Sequence, residues 1–410
     1  MKLSDYIANF LSNITKHVFV GQGGSVVHIL DSLEKKEGIK VVPSQNEQCA
    51  AIAADAYSRI DNKYGVSIAT SGPGIINLIQ GIACSYFDSI ATMHISGAVT
   101  TKQLRKNKKI RQVGFQEMEV IDLVKPITKY AVLLKNKNNV RYELEKMLYM
   151  SREGRPGPVL MDLPDDLQRS EVDPKKLRGF KPPRIKNNKI SFEKKFLKLI
   201  NQSKRPLIIP GYGIRLSQTE KQLQKFINNT NIPFAPTWAV VDLFSDKDER
   251  FAGTFGVAAT RFGNFAVQNS DLLIVLGSRL NTQLTGSNKS SFAPNAKKII
   301  VDVDQEELKK DYGSKIDLKI NSDLNYFFNK VEKIKFNKRA YTNWISNFQK
   351  WKKRYPICKE KYYQETNKVN PYVFMRELSK QTGKNDVLIP DASANLIWAL
   401  QSFCIEGQKV

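Results

Sequence analysis

The chain has 410 residues, of which 41% are hydrophobic and 25% charged, the balance of a globular protein with two or three domains. Lys and Arg outnumber Asp and Glu by 64 to 40, giving a net charge of +24, but the basic residues are dispersed and no recognition motif accompanies them. Nucleic-acid binding is therefore disfavoured. The charge indicates a lysine-rich surface or a local field that gathers anionic substrates.

The sequence predicts a cytoplasmic protein that does not enter a membrane. No apolar run approaches the roughly 20 residues needed to cross a bilayer, and the N-terminal segment is too polar for a signal peptide. Four cysteines and three histidines are widely separated, which argues against a zinc site and against a disulfide framework. No metal ligands are assigned to this chain.

Strand-like and helical segments alternate along the chain, which predicts an α/β protein of consecutive doubly wound domains with parallel sheets. Leu3, Ile7 and Leu11 recur at helical spacing and predict a first helix. The segments that follow are strand HVFVG, helix SVVHILDSLEKK opened by Ser25, strand KVVPS, helix NEQCAAIAADAYSRI, strand YGVSIATSG, helix IINLIQGIACSYFD, strand TMHISGAV and strand PGPVLMDLP.

Composition predicts four regions. Residues 1–170 form the first domain, and residues 171–190, rich in Pro and Lys without periodicity, form a linker. Residues 191–340 form a second, Rossmann-like domain with the strand segments RPLIIPGYG, DLLIVLGSRL and KKIIVDVD. Residues 341–410 supply a connecting helix, a helix in VNPYVFMRELSKQTG and a strand in NDVLIPDAS, which we interpret as the start of an incomplete third domain.

Glu47 is the first candidate for chemistry. It follows strand KVVPS and opens a helix of small residues. The helix dipole favours glutamate in a first turn, which is a purely structural explanation. The small residues behind Glu47 would also allow close packing and partial desolvation, as suits a group that exchanges protons.

Two glycine-rich turns, GQGGS at 21–25 and TSGPGIIN at 70–77, each connect a strand to a helix. Glycine lets the backbone approach a ligand closely, although either turn alone could simply be tight. Two such turns after strands of one domain predict a pocket at the edge of the sheet. Neither 21–26 nor 211–216 completes the GxGxxG dinucleotide fingerprint.

The order of these pieces resembles the acetohydroxyacid (acetolactate) synthase large-subunit family of thiamine-diphosphate enzymes. The family's pyrimidine-binding domain is matched by VFVGQGGSVVHILDSL, NEQCAAIAADAYSR, TSGPGIIN, RQVGFQEMEVIDLVKPITKYA and GRPGPVLMDLP. Its central domain is similar to GNFAVQNSDLLIVLGSRLN followed by KKIIVDVDQEEL. The resemblance runs in order from about residue 1 to the last residue, and implies that 341–410 begins the family's diphosphate-binding domain.

The resemblance implies roles for individual residues. Glu47 would hydrogen-bond the cofactor's aminopyrimidine ring and promote loss of the thiazolium proton, so that Glu47 and Gln116 are the candidate catalytic residues. The candidate cofactor-binding residues are Gly23, Gly24, Glu47, Gly72, Pro73, Gly74 and Asn77.

The implied reaction is decarboxylation of a 2-oxo acid such as pyruvate, followed by carboligation to a second carbonyl. The implied assembly is a homodimer or tetramer, since in this family the cofactor lies between the first domain of one subunit and the third of another. Two alternatives stay open at this point. One is transfer of a pyruvate-derived acetyl unit to a keto nucleotide sugar, and the other is a non-catalytic relative that acts as an assembly partner.

The sequence also departs from the family. Gln22 replaces a usual proline and Asn46 a frequent histidine, and SRLN at 278–281 lacks the RFDDR-like string linked to FAD, which leaves flavin binding open. The family's GDG motif, which holds Mg²⁺ and diphosphate, is absent. We therefore expect a C-terminally truncated chain that is inactive alone, unless a separate chain supplies the diphosphate-binding domain.

Overall fold

The computed structural model describes residues 1–60, 63–107, 109–183 and 191–410. The chain forms two compact units, Met1–Lys186 and Asn187–Val410. Of the predicted linker, 184–190 lies outside the described residues, whereas Val172 and Leu177 are buried in the core of the first unit. The boundaries predicted at residues 170, 190 and 340 stay predictions.

The first unit is built on a six-stranded sheet in which every pairing is parallel. Its strands are β1 (His17–Val20), β2 (Lys40–Pro43), β3 (Gly65–Ala69), β4 (Thr92–Ala98), β5 (Tyr130–Leu133) and β6 (Val159–Pro164). Their spatial order is β2-β1-β3-β4-β6-β5. The β5 strand adds to the elements predicted from the sequence.

Helices cover both faces of this sheet. Along β6, the side chains of Val159 and Met161 enter one apolar core, whereas Leu160 enters a second, as the alternation of a strand requires. The helices of the first unit are α1 (Leu3–Ser12), α2 (Val27–Glu34), α3 (Glu47–Arg59), α4 (Pro73–Asp88), α5 (Val120–Val124), α6 (Val140–Arg152) and α7 (Asp165–Gln168), with 3-10 turns at Gly24–Val26, Thr101–Gln103, Lys125–Ile127 and Lys137–Asn139.

The start predicted for α2 is wrong. Ser25 lies in the 3-10 turn Gly24–Val26, and α2 begins at Val27 without a side-chain cap. The Ser25 hydroxyl instead accepts a hydrogen bond from the backbone N–H of Ser71 at 2.8 Å. A tertiary contact therefore uses the oxygen that the sequence pattern assigned to helix capping.

The second unit contains a four-stranded parallel sheet. Its strands are β7 (Pro206–Pro210), β8 (Leu272–Leu276), β9 (Lys297–Asp302) and β10 (Leu318–Asn321). Their order is β10-β9-β8-β7, and Phe234 extends the β7 side through isolated parallel bridges to Ile208 and Phe251. Together the two parallel sheets confirm the predicted α/β fold class.

The helices of the second unit pack on two apolar cores that include the strand residues. None of the helices in the described parts of either unit is long and apolar enough to cross a membrane. The helices of the second unit are α8 (Glu193–Gln202), α9 (Gly213–Leu216), α10 (Glu220–Thr230), α11 (Arg261–Asn269), α12 (Thr282–Thr285), α13 (Gln305–Lys309), α14 (Leu324–Val331), α15 (Thr342–Arg354), α16 (Glu360–Tyr363), α17 (Pro371–Gln381) and α18 (Ala394–Ser402), with 3-10 turns at Trp238–Leu243 and Lys289–Ser291.

The strand predicted in NDVLIPDAS is wrong. Val387 makes one isolated parallel bridge, to Lys409, and the rest of this segment is irregular. An apolar run of strand length becomes a strand only where a neighbouring segment pairs along its length, and here the pairing stops after one residue.

Candidate active site

Three neighbouring strands of the first unit end at one edge of its sheet. In the order β2-β1-β3, the chain passes from β1 to β2 on one side of β1 and then crosses to β3 on the other side. The direction of winding therefore reverses at β1, and ligands of open α/β sheets bind at such a switch point. Glu47 follows β2, Gly21 and Gly23 follow β1, and the Thr70–Gly74 turn follows β3. The backbone N–H of Gly21 donates to Ile68 O at 2.8 Å and keeps the β1 and β3 ends together.

Glu47 is the first residue of α3, whose N-terminus is capped by Asn46. The Asn46 side-chain oxygen accepts from the backbone N–H of Gln48 at 2.8 Å, which fixes the helix start and so the position of Glu47. The Glu47 side chain is half-buried, and its Oε2 accepts from Asn77 Nδ2 at 3.0 Å. Among the residues that the structure describes, no hydrogen-bond donor to Oε1 is found.

Glycine backbone surrounds the Glu47 carboxylate. A Cβ atom on Gly21 would lie 2.1 Å from Glu47 Cγ, and one on Gly74 would lie 3.4 Å from Oε1. A Cβ on Gly23 would lie 2.4 Å from Thr70 Cβ. Real side chains do not approach as closely as at Gly21 and Gly23, so the β1 turn needs glycine to pass Glu47 and Thr70, whereas 3.4 Å at Gly74 is an ordinary contact.

Hydrogen bonds of Ser25 join the two glycine turns. Its Oγ lies 2.9 Å from Thr70 Oγ1 and accepts from the N–H of Ser71 at the end of β3. The fully buried Gln168 donates to Ser25 O at 2.7 Å and accepts from Ile29 N–H at 3.3 Å. Thr70 is the first residue of the TSGPG turn, which is a weak signal for its role, but no sequence pattern singles out Gln168.

Gln116 adjoins the start of α4. Its backbone has φ of 63°, in the left-handed region, and Gly72 opposite has φ of 64°. A Cβ on Gly72 would lie 2.8 Å from Gln116 Cβ, so the two backbones are in close contact. Pro73 is the first residue of α4, where proline is well tolerated.

The structure brings Glu47, Gly74 and Asn77 together and places Gly72 against Gln116. Gly24 is exposed, and a Cβ built on it would meet no atom within 4 Å of the described protein. Packing within the described protein therefore does not require glycine at this position.

Two titratable side chains are buried inside the sheet itself. Burial raises the pKa of Asp162 to about 7, an effect that nearby Glu119 increases and the 2.6 Å hydrogen bond from Ser96 opposes. Burial lowers the pKa of His94 to about 3, and its ring nitrogens contact Ser67 Oγ at 2.7 Å and Thr92 Oγ1 at 2.9 Å. Around neutral pH His94 is therefore uncharged and Asp162 is partly protonated.

This edge suits one end of a flat heterocycle. Glu47 Oε1 accepts no hydrogen bond from the described residues, and at positions 21 and 74 no side chain stands beside this oxygen. A metal ion would instead need several ligating side chains close together. Within the described ranges, no group of three or more His, Cys, Asp or Glu side chains could hold an ion.

Comparison with known proteins agrees with this geometry. Residues 1–123 match the model of the thiamine pyrophosphate enzyme N-terminal TPP binding domain, and residues 194–331 match the model of the thiamine pyrophosphate enzyme central domain. Thiamine pyrophosphate and thiamine diphosphate are the same compound. The class of thiamine-diphosphate enzymes, predicted from the sequence, is confirmed.

The relatives define the family. The acetolactate synthase large subunit of Cyanidium caldarium is 31% identical over 96% of this chain and 68% of its own length. The probable acetolactate synthase large subunit of Methanococcus aeolicus is 31% identical over 93% of the chain and 65% of its own length. The acetolactate synthase large subunit of Buchnera aphidicola subsp. Schizaphis graminum is 30% identical over 94% and 67% respectively.

The chain belongs to the acetolactate synthase large-subunit family. It spans about two thirds of the length of the curated relatives it matches.

Proposed function

We propose that this chain supplies the pyrimidine-binding part of an enzyme that decarboxylates a 2-oxo acid, pyruvate, and joins the remaining unit to a second carbonyl. The observation that carries the proposal is that Glu47 Oε1 accepts no hydrogen bond from the described residues and lies between the Gly21 and Gly74 backbones at the switch point of the sheet. The acetolactate synthase relatives favour this reaction over acetyl transfer to a keto nucleotide sugar and over a non-catalytic assembly role.

In this proposal the chain itself positions one carboxylate oxygen, Glu47 Oε1, that can exchange a proton. Thiamine diphosphate, when bound, supplies the nucleophilic carbon and the electron sink of the decarboxylation. Asn77 holds Oε2 of Glu47, which leaves Oε1 to share a proton with a ring nitrogen of the aminopyrimidine. Gly74 and Gly21 keep the space beside Oε1 clear, and Gln116 against Gly72 borders the same helix start.

The proposal assigns Mg²⁺ and the diphosphate to ligands outside these 410 residues, because the chain contains no GDG motif. Hard Mg²⁺ needs carboxylate, carbonyl and phosphate oxygens in octahedral array, and we infer that a further protein segment provides them.

We further propose that the chain pairs with a second copy of itself through α3 and α4. On α3 the exposed residues Cys49, Ile52 and Ala56 recur at helical spacing, and on α4 Ile76 and Phe87 are 50% and 58% exposed. Because α3 and α4 pack side by side, we infer that these residues contribute apolar surface to one face, as in many protein interfaces. The same two helices begin at Glu47 and Pro73.

The test is the Glu47→Gln variant, assayed for pyruvate turnover with thiamine diphosphate and Mg²⁺ in a preparation that contains the diphosphate-binding segment. Turnover should fall by roughly 100-fold or more, since general acid–base catalysis contributes about that much. Glu37→Gln makes the same change at an exposed site and should leave turnover unchanged. Wild-type turnover in Glu47→Gln would remove Glu47 from the mechanism.

A further inference from the structure

Gln116 lies on an irregular segment, residues 109–119, that leads into α5. We call this segment the Gln116 loop. Next to Gln116 along the chain is Glu117, a charged residue that is only 8% exposed. A buried carboxylate needs compensating hydrogen bonds, so its partners show what it does for the loop.

The Glu117 carboxylate ties two separate stretches of backbone together. Its Oε1 accepts from the N–H of Arg105 at 2.6 Å, which precedes the loop. Its Oε2 accepts from the N–H of Val113 at 2.8 Å and of Gly114 at 3.4 Å, within the loop. Each oxygen thus binds one stretch, and charge-assisted bonds of this kind are stronger than neutral ones.

The backbone around Gln116 depends on this arrangement. Gln116 has φ of 63°, a conformation that is unfavourable for a residue with a side chain. The N–H of Glu117 closes a turn to Gly114 O at 3.0 Å, and Gly114 packs against Val99. The strained residue is therefore followed by a turn that Glu117 and its partner Gly114 close.

We propose that Glu117 is a positioning residue: its carboxylate clamps the Gln116 loop and so holds Gln116 against Gly72 at the start of α4. This inference rests on the proposed function, in which Gln116, against Gly72, borders the helix start that carries Gly74. Glu117 itself contacts neither Glu47 nor Asn77, and it acts through the backbone of the loop.

Glu117→Gln is the sharpest variant because it keeps the shape of the side chain. Both carboxylate oxygens accept from backbone N–H groups, and an amide can present an acceptor on one side only. Whichever way the amide turns, an NH₂ group faces a backbone N–H, and one stretch is released. Glu119→Gln is the matched control, since Glu119 accepts from the Arg105 guanidinium at 3.3 Å, whereas the three N–H groups donate to Glu117.

The experiment measures hydrogen–deuterium exchange of the loop in the wild type, Glu117→Gln and Glu119→Gln. We expect exchange in the released stretch, either Arg105 or Val113 and Gly114, to be at least about tenfold faster in Glu117→Gln alone. In active preparations kcat for pyruvate should also fall about tenfold, while the half-saturating concentration of thiamine diphosphate stays the same, because the Glu47–Asn77 contact is intact.

Unchanged exchange in Glu117→Gln would overturn the clamp, whatever the turnover. Faster exchange with unchanged kcat would reduce Glu117 to a stabilising residue and overturn its positioning role. Absence of pyruvate turnover in the wild type would count against the proposed function instead, and the exchange comparison would still decide whether the clamp exists.

Discussion

Asn77 Nδ2 lies 3.0 Å from Glu47 Oε2, so a hydrogen bond joins the first turn of α3 to the second turn of α4. Both helix starts are fixed independently, α3 by the Asn46 cap and α4 by Pro73 at its first position. The bond therefore connects two rigid ends, and it sets which carboxylate oxygen is left available. The orientation of Glu47 is thus a property of the pair rather than of the glutamate alone.

Replacing Asn77 with Ala should lower kcat/KM for pyruvate by roughly tenfold, because one charge-assisted hydrogen bond is lost and Glu47 can rotate. The free energy of unfolding should change by less than about 1 kcal/mol, since Asn77 is exposed. Steady-state kinetics and denaturant unfolding measure the two effects. Asn77→Asp should be worse, because it sets a second carboxylate beside Glu47. Equal activity of all three proteins would contradict an orienting role.

Replacing Gly21 with Ala should destabilise the protein by about 1–3 kcal/mol and abolish turnover, because the new Cβ would lie 2.1 Å from Glu47 Cγ. Gly24→Ala is a useful contrast, since its Cβ meets nothing within 4 Å. It should leave thermal unfolding unchanged, so that any loss of thiamine-diphosphate affinity in this variant reports contact with the ligand. A Gly21→Ala variant as stable as the wild type would show that the backbone at residue 21 can move away from Glu47.

Much of this arrangement could be predicted from the sequence because it depends on local order. Alternating strand and helix segments give a parallel sheet, and residues that follow neighbouring strands must meet at its edge. Glu47 and the two glycine turns each follow such a strand, so their proximity needs only the right strand order. The family resemblance supplied that order.

Other features could not be predicted, because they depend on pairing at long range. Gln168 contacts Ile29 across 139 positions, and no periodicity encodes such a contact. Ser25 fits a helix-capping pattern, yet its hydroxyl bonds to the end of β3. The NDVLIPDAS segment has strand composition, but only Val387 finds a neighbour to pair with. Composition restricts the secondary structures that a segment can form, and tertiary contacts determine which of them it adopts.

The proposed α3–α4 interface predicts a weaker dimer when a charge is placed on its apolar face. Phe87→Glu should raise the dimer dissociation constant by about tenfold or more, because a buried unpaired carboxylate is unfavourable. Val27→Glu on α2 changes a similarly exposed residue, 54% against 58%, and should have no effect. Sedimentation velocity over a range of concentrations measures the difference. An unaltered dimer in Phe87→Glu would exclude this face.

The raised pKa of Asp162 predicts that the free energy of unfolding depends on pH, and Asp162→Asn should remove this contribution. Its pKa rises from a usual value of 3.8 to about 7 because the side chain is buried. The folded chain therefore binds this proton more tightly than the unfolded chain does, so the contribution is fully present below about pH 4 and is lost as the pH rises through 7.

Asp162→Asn carries no such proton. Relative to the wild type, the variant should gain unfolding free energy between about pH 4 and pH 7, by on the order of 4 kcal/mol at most, and the difference should be constant above that range. Urea unfolding at pH 5, 6, 7 and 8 follows the difference directly, provided that Ser96 still donates to the amide oxygen. The His94 contribution has the opposite sign, since its lowered pKa makes stability fall as the pH drops below about 6.5, but His94 is common to both proteins and cancels. A difference that does not vary with pH would show that Asp162 is ionised in the folded protein throughout this range, despite its burial beside Ser96.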